Sequence, residues 1–247
     1  MVLCAAVGLV LLVTGAWALP RPADLARGLE VRPAATPASR LPDAGPGTTP
    51  TAATPAAPRP STVTAGTLVP DRGPGTYEEA DVRVGSTTDE GRLYRFDVRV
   101  EKGLDLDPDT VARALEKTLD DPRSWRSTGR VRFALVPTGG DADLHAYLVT
   151  PRTTDKLCAP LLTQGEVSCR AGDKVVLNAK RWVFGSEAFG PSVADYREYL
   201  ANHEFGHALG HSHVGCPRAG RPAPVMLQQT KGLQGCTANP WPSVTRG

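Results

Sequence analysis

The sequence predicts an α+β fold in which a twisted mixed sheet packs against two helices. Several short segments alternate apolar and polar residues or form short apolar runs, which is typical of strands. Two other segments place apolar residues at three-four spacing, behind residues that cap helix N-termini. We expect these elements to form one domain over residues 73–247, which is long enough to bury a core.

The strands follow from local patterns. Residues 93–100 alternate apolar and polar side chains, as in a strand with one buried face. The full set of predicted strands is 76–84, 93–100, 131–136, 144–149 and 174–177. Residues 158–169 show no such pattern, and we expect an irregular loop or a short hairpin there.

Two helices have recognisable starts. Asp107 is placed to cap the first helix, and Pro108 suits its first position. The apolar face of this helix consists of Val111, Ala114, Leu115 and Leu119. The second helix is predicted over residues 192–209, and one of its faces carries Tyr196, Leu200, His203 and His207. Two histidines therefore lie on a stripe that also packs on the sheet.

The N-terminal third of the chain predicts export and a tether. An apolar run ends in Ala16-Trp17-Ala18, a pattern suited to signal peptidase. No Lys or Arg precedes the run, and it is long enough to stay in a bilayer, so residues 1–18 are a signal peptide or an N-terminal membrane anchor. Twelve of the 23 prolines lie between Pro20 and Pro74, and we expect residues 19–72 to be a disordered linker. The folded domain would be secreted or lie at the extracellular face of the membrane, with membrane or cell-wall association only through this segment.

Cysteine usage agrees with export. Four cysteines follow the apolar run, and an even set in an exported chain indicates two disulfides. We favour the pairs Cys158–Cys169 and Cys216–Cys236, because each encloses a short turn-rich segment. A zinc site formed by these cysteines is the alternative, although neither pair has close Cys-x-x-Cys spacing. The net charge of +2, without a basic stripe, gives no support for nucleic-acid binding, and we expect a monomer.

The motif His-Glu-Phe-Gly-His-Ala-Leu-Gly-His-Ser-His is the most specific pattern in the chain. On a helix His203 and His207 project from the same face, at the spacing that lets two imidazoles reach one Zn²⁺. Glu204 follows the first histidine, where it can accept a proton from zinc-bound water. Gly210 can end the helix in a left-handed turn, which brings His213 back as the third ligand and leaves a fourth position open.

Other interpretations of these histidines stay open. The helix could bury them as ordinary packing residues, or bind a zinc ion that is only structural. An intact Glu204 argues against structural zinc, which has no use for a carboxylate there. His211 has the wrong offset for a ligand, and we expect it to face solvent near the helix end. His145 is expected to be a surface or packing residue rather than a catalytic one.

The extended motif resembles that of the metzincin clan of zinc endopeptidases, which share a Met-turn beneath the metal. Met226 follows His213 at a suitable distance for that turn. The C-terminal part is similar to snapalysin-type proteases in its Cys216, Met226, Cys236 and Asn239-Pro240-Trp241-Pro242. Snapalysins carry Asp where this chain has His213, and no Tyr follows Met226 to act as the tyrosine ligand of astacin-like enzymes.

Residues 94–242 are more closely similar still to an uncharacterised family of exported actinobacterial proteins. The similarity lies in Leu-Cys-Ala-Pro at 157–160, Val-Val-Leu-Asn at 175–178 and Met-Leu-Gln-Gln-Thr-Lys-Gly at 226–232. That family implies no activity, so it leaves the substrate open. The metzincin resemblance implies a zinc-protease domain with an active-site helix, a C-terminal Met-turn segment and Zn²⁺ as cofactor.

We therefore expect an exported zinc-dependent endopeptidase that acts on a protein or peptide substrate. Zinc-activated water would attack the peptide carbonyl with Glu204 as general base, and the same side chain could protonate the leaving amine. The strand at 144–149 is expected to line the cleft and to pair with an extended substrate. The alternatives are a zinc amide hydrolase that acts on cell-wall peptides, and a non-catalytic extracellular module with structural zinc.

Overall fold

A six-stranded mixed sheet forms the centre of the fold in a computed structural model, which describes residues 68–245. Its strands are β1 (Tyr77–Glu79), β2 (Arg92–Glu101), β3 (Val131–Leu135), β4 (Leu144–Val149), β5 (Cys169–Ala171) and β6 (Lys174–Asn178). They follow the order β1-β2-β4-β6-β5, and β3 lies beside β2 along the same edge as β1. The strands β2, β3, β4 and β6 are parallel, whereas β1 and β5 are antiparallel to their neighbours. The α+β class with a mixed sheet, predicted from the sequence, is confirmed.

Four α-helices surround the sheet within the described residues. They are α1 (Pro108–Leu119), α2 (Pro151–Cys158), α3 (Ala179–Phe184) and α4 (Val193–Ala208). Helix α1 starts as predicted, since Asp107 Oδ2 accepts a hydrogen bond from the Thr110 N–H at 2.8 Å. Helices α1 and α4 share the main core with β2. Helix α2 covers the opposite face, where Val149 and Val176 pack beside its last residue, because alternate strand residues point to opposite faces.

The sequence did not predict α2 or α3. Helix α2 buries Thr153 and Thr154 instead of an apolar stripe, so the three-four spacing that reveals a helix is missing. The hydroxyl of Thr153 donates to Glu101 Oε1 at 2.7 Å, and this contact holds the helix on the sheet. Helix α3 has only six residues. The segment between α2 and β5 is an irregular loop, as expected.

The first predicted strand, 76–84, is largely wrong. Only β1 pairs with β2, and the chain then leaves that strand and forms a single bridge between Val84 and Leu135 of β3. Between these two points the Asp81 N–H donates to the Asp109 carboxylate of α1, at 2.9 Å. β1 and β3 pair with different parts of the same edge of β2. A segment that pairs first with β2 and then with β3 therefore cannot continue as one strand.

Two sequence predictions fall outside the described residues. These are the signal peptide or anchor at 1–18 and the greater part of the linker, 19–67. The described residues all belong to one compact unit. Within 68–245, no helix has both the length and the apolar character needed to cross a membrane.

Candidate metal centre

Helix α4 and the turn after it build the site. Ser192 caps the helix, since its Oγ accepts from the Asp195 N–H at 3.2 Å. At the other end Gly210 has a φ of 93°, a left-handed conformation that glycine adopts at no steric cost. The His211 N–H then donates to the Gly206 carbonyl at 3.0 Å, which satisfies a terminal helix carbonyl and reverses the chain.

This reversal brings three imidazoles together. The Nε2 atom of His213 lies 3.2 Å from Nε2 of His203 and 3.0 Å from Nε2 of His207. Two nitrogens bound at about 2.0–2.1 Å to one tetrahedral zinc ion would be about 3.3–3.4 Å apart. The three histidines, which are the three predicted ligands, are thus close enough together that they could hold a metal ion. No second group of this kind occurs among the described His, Cys, Asp and Glu side chains.

Main-chain carbonyls orient two of these rings. The Nδ1 atom of His203 lies 2.8 Å from the Val225 carbonyl oxygen, and that of His207 lies 2.8 Å from the His211 carbonyl oxygen. A neutral ring that donates through Nδ1 presents the lone pair of its Nε2. Burial lowers the pKa of His203 to about 3 and also lowers the pKa of His207 and His213. All three rings are therefore in the neutral, metal-binding form at neutral pH.

Glu204 lies beside these histidines, and its carboxylate is unsatisfied within the described part of the chain. It is 4% exposed, and its Oε2 has no hydrogen-bond partner among the described residues. Burial raises the pKa of Glu204 to about 8. An unpaired buried carboxylate is costly, so an orphaned oxygen here indicates a cation or a proton donor that comes from outside the chain. A metal ion at the three histidines fits this requirement, since its charge stabilises nearby carboxylates.

Met226, the predicted Met-turn residue, packs against the helix that carries the ligands. A Cβ atom built on Gly206 would lie 2.6 Å from Met226 Sδ and 2.6 Å from Trp125 Cζ2. Both side chains therefore lie against the helix backbone next to His207. The residue before the methionine is Val225, whose carbonyl orients His203. The turn thus contacts the site through its side chain and its main chain.

Both predicted disulfides are present, and their pairing is confirmed. Cys158–Cys169 joins the end of α2 to the start of β5, with a Cα–Cα distance of 6.1 Å. Cys216–Cys236, with a Cα–Cα distance of 5.8 Å, closes the segment that contains Met226. Each bridge therefore fixes a segment that lies next to the site.

A cleft of about 370 Å³ opens at the histidines. Strand β5 and the loop before it line the cleft, and so does the segment that follows Met226. The loop presents Leu161 and Leu162, which are 56% and 87% exposed. Strand β5 is the last strand of the sheet and pairs only with β6, so its other edge is unpaired within the described part of the chain.

The prediction that residues 144–149 line the cleft is wrong. They form β4, which lies between β2 and β6, so both of its edges are already paired. His145 is on this strand, and its Nδ1 lies 2.9 Å from Asp97 Oδ1, as expected for a packing or surface residue. His211 is exposed, as predicted, and its ring stacks on Trp125 with 4.3 Å between the centroids. Neither histidine lines the cleft.

Three residues at the site were not predicted: Trp125, Arg170 and Lys231. Trp125 reaches α4 from a distant 3-10 helix, and its Nε1 donates to the Asn202 carbonyl at 2.7 Å. No local pattern could indicate that contact. Lys231 lies within the 226–232 segment that resembles the actinobacterial proteins, which was the one available signal.

A family model described as a protein of unknown function, DUF3152, matches residues 63–242. The chain belongs to this family. No curated protein and no solved structure matches the chain. The DUF3152 match contains the whole sheet, the three histidines, Glu204 and the Met226 turn, so the candidate metal centre lies entirely within the family's segment.

Proposed function

We propose that this chain is an exported zinc-dependent endopeptidase. The observation that carries the proposal is the convergence of three Nε2 atoms beside the buried, unpaired carboxylate of Glu204. The cleft at this point is bordered by β5, one edge of which is unpaired among residues 68–245. The packing of Met226 against α4 agrees with the resemblance to metzincins.

The donor set favours zinc. Ca²⁺ and Mg²⁺ prefer oxygen ligands, whereas neutral imidazoles suit Zn²⁺. Three protein ligands are typical of catalytic zinc sites, while structural sites usually close with four. A zinc ion bound here would act as a Lewis acid and lower the pKa of a bound water molecule to about 7.

The residues of the chain supply the rest of the chemistry. Glu204 would take the proton from the attacking water and return it to the leaving amine. The buried position of the carboxylate excludes competing solvent, which strengthens its interactions. The free edge of β5, rather than β4, would bind an extended substrate through main-chain hydrogen bonds.

Two observations support export. Disulfides persist in oxidising compartments, and the domain contains two. The apolar run at the N-terminus has the pattern expected of an export signal. The domain would then work in secreted form or at the extracellular face of the membrane.

The test compares Glu204→Gln with the wild type in metal analysis and in a broad peptide-library cleavage assay, with and without chelator. Glutamine keeps the shape but cannot accept the proton, so bound zinc should stay near one per chain while turnover falls by about 10²–10⁴-fold. Glu187→Gln is the matched control, since it makes the same change at an exposed carboxylate outside the cleft. It should behave as the wild type.

Two results would contradict the proposal. Cleavage by Glu204→Gln at the wild-type rate would exclude the general-base role. A wild-type protein that binds zinc but cleaves no peptide would favour a structural zinc site, or an amide hydrolase whose substrate is a cell-wall peptide. Assay on isolated cell-wall peptides separates these last two.

A further inference from the structure

Two positively charged side chains line the cleft beside the metal ligands. Arg170 belongs to β5, and Lys231 belongs to the segment after Met226. His207 and His213 line the same cleft. The two cations therefore reach the candidate metal position from two separate elements.

Neither Arg170 nor Lys231 forms an ion pair with any described residue. By contrast, Lys180 and Arg181 both contact Glu166, in the loop before β5. The only acidic residue among those lining the cleft is the buried Glu204. The entrance is therefore electropositive, and a divalent metal ion would make it more so.

We infer that the cleft selects peptides that carry a carboxylate group next to the scissile bond. An arginine fork matches a carboxylate in bidentate geometry, and lysine adds a mobile point charge. An electropositive cleft also speeds the association of anionic ligands. The carboxylate has two possible sources, an acidic side chain or a free C-terminus. The inference rests on the proposed peptidase function, because it names the substrate class of that enzyme.

Binding to the full-length, zinc-loaded Glu204→Gln protein separates recognition from cleavage. The probes are blocked peptides of alanine and leucine with Glu, Gln or Lys beside a central Ala–Leu bond. A fourth probe is the Gln peptide with a free carboxylate one residue after that bond. In calorimetric titration the Glu peptide should bind most tightly, the Gln peptide less tightly and the Lys peptide least tightly. From one peptide to the next, the Kd should rise by about fivefold for each cation that contacts the peptide. Added salt should reduce the differences.

The fourth probe identifies the source of the carboxylate. Tighter binding of this probe than of the blocked Gln peptide assigns recognition to a free C-terminus, while an advantage of the Glu peptide alone assigns it to a side chain. The metal-free protein should show the same order, because both cations belong to the chain.

Charge reversal then tests the two cations in the same background. Arg170→Glu and Lys231→Glu should each weaken binding of the preferred anionic peptide by at least about fivefold, and together they should make the Lys peptide the tightest ligand. Arg170→Lys keeps the charge and should keep the preference. Arg83→Glu changes the net charge equally at an exposed position outside the cleft, and it should change nothing.

Equal Kd values for all four peptides would overturn the inference, and so would a preference for anionic peptides that survives the double reversal. Cleavage by the wild type is scored separately. If the wild type cleaves neutral peptides as fast as anionic ones, the inference of a carboxylate preference fails, but the proposed peptidase activity is supported. If the wild type cleaves none of the peptides but anionic peptides still bind more tightly, the peptidase proposal fails, and the recognition of carboxylate groups by the cleft is supported.

Discussion

A single methyl group added at Gly206 would disturb the packing around the helix that carries His203 and His207. In Gly206→Ala the new carbon would lie 2.6 Å from both Met226 Sδ and Trp125 Cζ2. Optimal contacts between carbon atoms are about 3.5–4.0 Å, so the methyl overlaps both side chains by about 1 Å. Trp125 is 5% exposed, and its Nε1 hydrogen bond to Asn202 restrains the ring. Met226 or the helix itself must therefore move.

Two opposing contributions determine the size of the effect. Alanine is favoured over glycine in a helix interior by about 1 kcal/mol, whereas overpacking a core costs about 1–3 kcal/mol. Because the methyl meets two side chains, we expect the upper part of that range and a net loss of about 1–2 kcal/mol in unfolding free energy. For a domain of this size the melting temperature should fall by about 2–8 °C.

Movement of Met226 would also displace Val225, whose carbonyl orients His203. Loss of such an outer contact typically weakens metal affinity by about 10–100-fold, and we expect the lower end because the acceptor is shifted and not removed. Chelator competition measures this affinity, and thermal unfolding of the metal-free protein measures stability.

Gly85→Ala is the control for the Gly206 experiment, since a Cβ at Gly85 meets nothing within 4 Å and its φ is not positive. It should match the wild type in both measurements. A Gly206→Ala protein that is as stable as the wild type and binds zinc equally well would refute the packing argument.

The other predictions concern His213 and the half-buried carboxylate of Glu198. His213→Ala should lose most bound zinc, because the Gly210 turn brings the Nε2 atom of His213 to those of His203 and His207. His211→Ala should keep its zinc. Equal loss of zinc from the two variants in metal analysis would mean that the turn has a different geometry. Burial, followed by repulsion from Asp195, raises the pKa of Glu198. The folded state therefore binds the proton of the Glu198 carboxyl more tightly than the unfolded chain does. The free energy of unfolding then falls as the pH rises above the pKa of this group in the unfolded chain, which is about 4.3. In urea unfolding Glu198→Gln should therefore be more stable than the wild type at pH 7, and this advantage should disappear toward pH 4. A difference in unfolding free energy that stays the same at both pH values would exclude the titration of Glu198 as its cause.

Local patterns in the sequence predicted those parts of the fold that depend on neighbours along the chain. The alternation at 93–100, the Asp107 cap and the histidine spacing each involve residues within one element. The disulfide pairing followed from the same logic, because each bridge closes a short loop.

The order of the strands could not be obtained in this way. Sequence order suggests nothing about β4 lying between β2 and β6, and the prediction that it faces substrate failed for that reason. Helix α2 was missed because buried threonines hold it, and threonines do not mark a helical face. The contact of Trp125 with α4 joins residues far apart in sequence, which only the folded chain brings together.

The carbonyls that orient His203 and His207 belong to the main chain of residues 225 and 211. In many zinc sites a carboxylate side chain has this role, and one substitution removes it. Here no substitution deletes the acceptor, because every residue type carries the same oxygen. A change of side chain at either residue therefore keeps the acceptor, provided that the backbone path through the two turns is kept. The orientation of the two rings should therefore be more sensitive to a substitution at Gly210, whose left-handed conformation sets the path of the first turn, than to a change of side chain at residue 211.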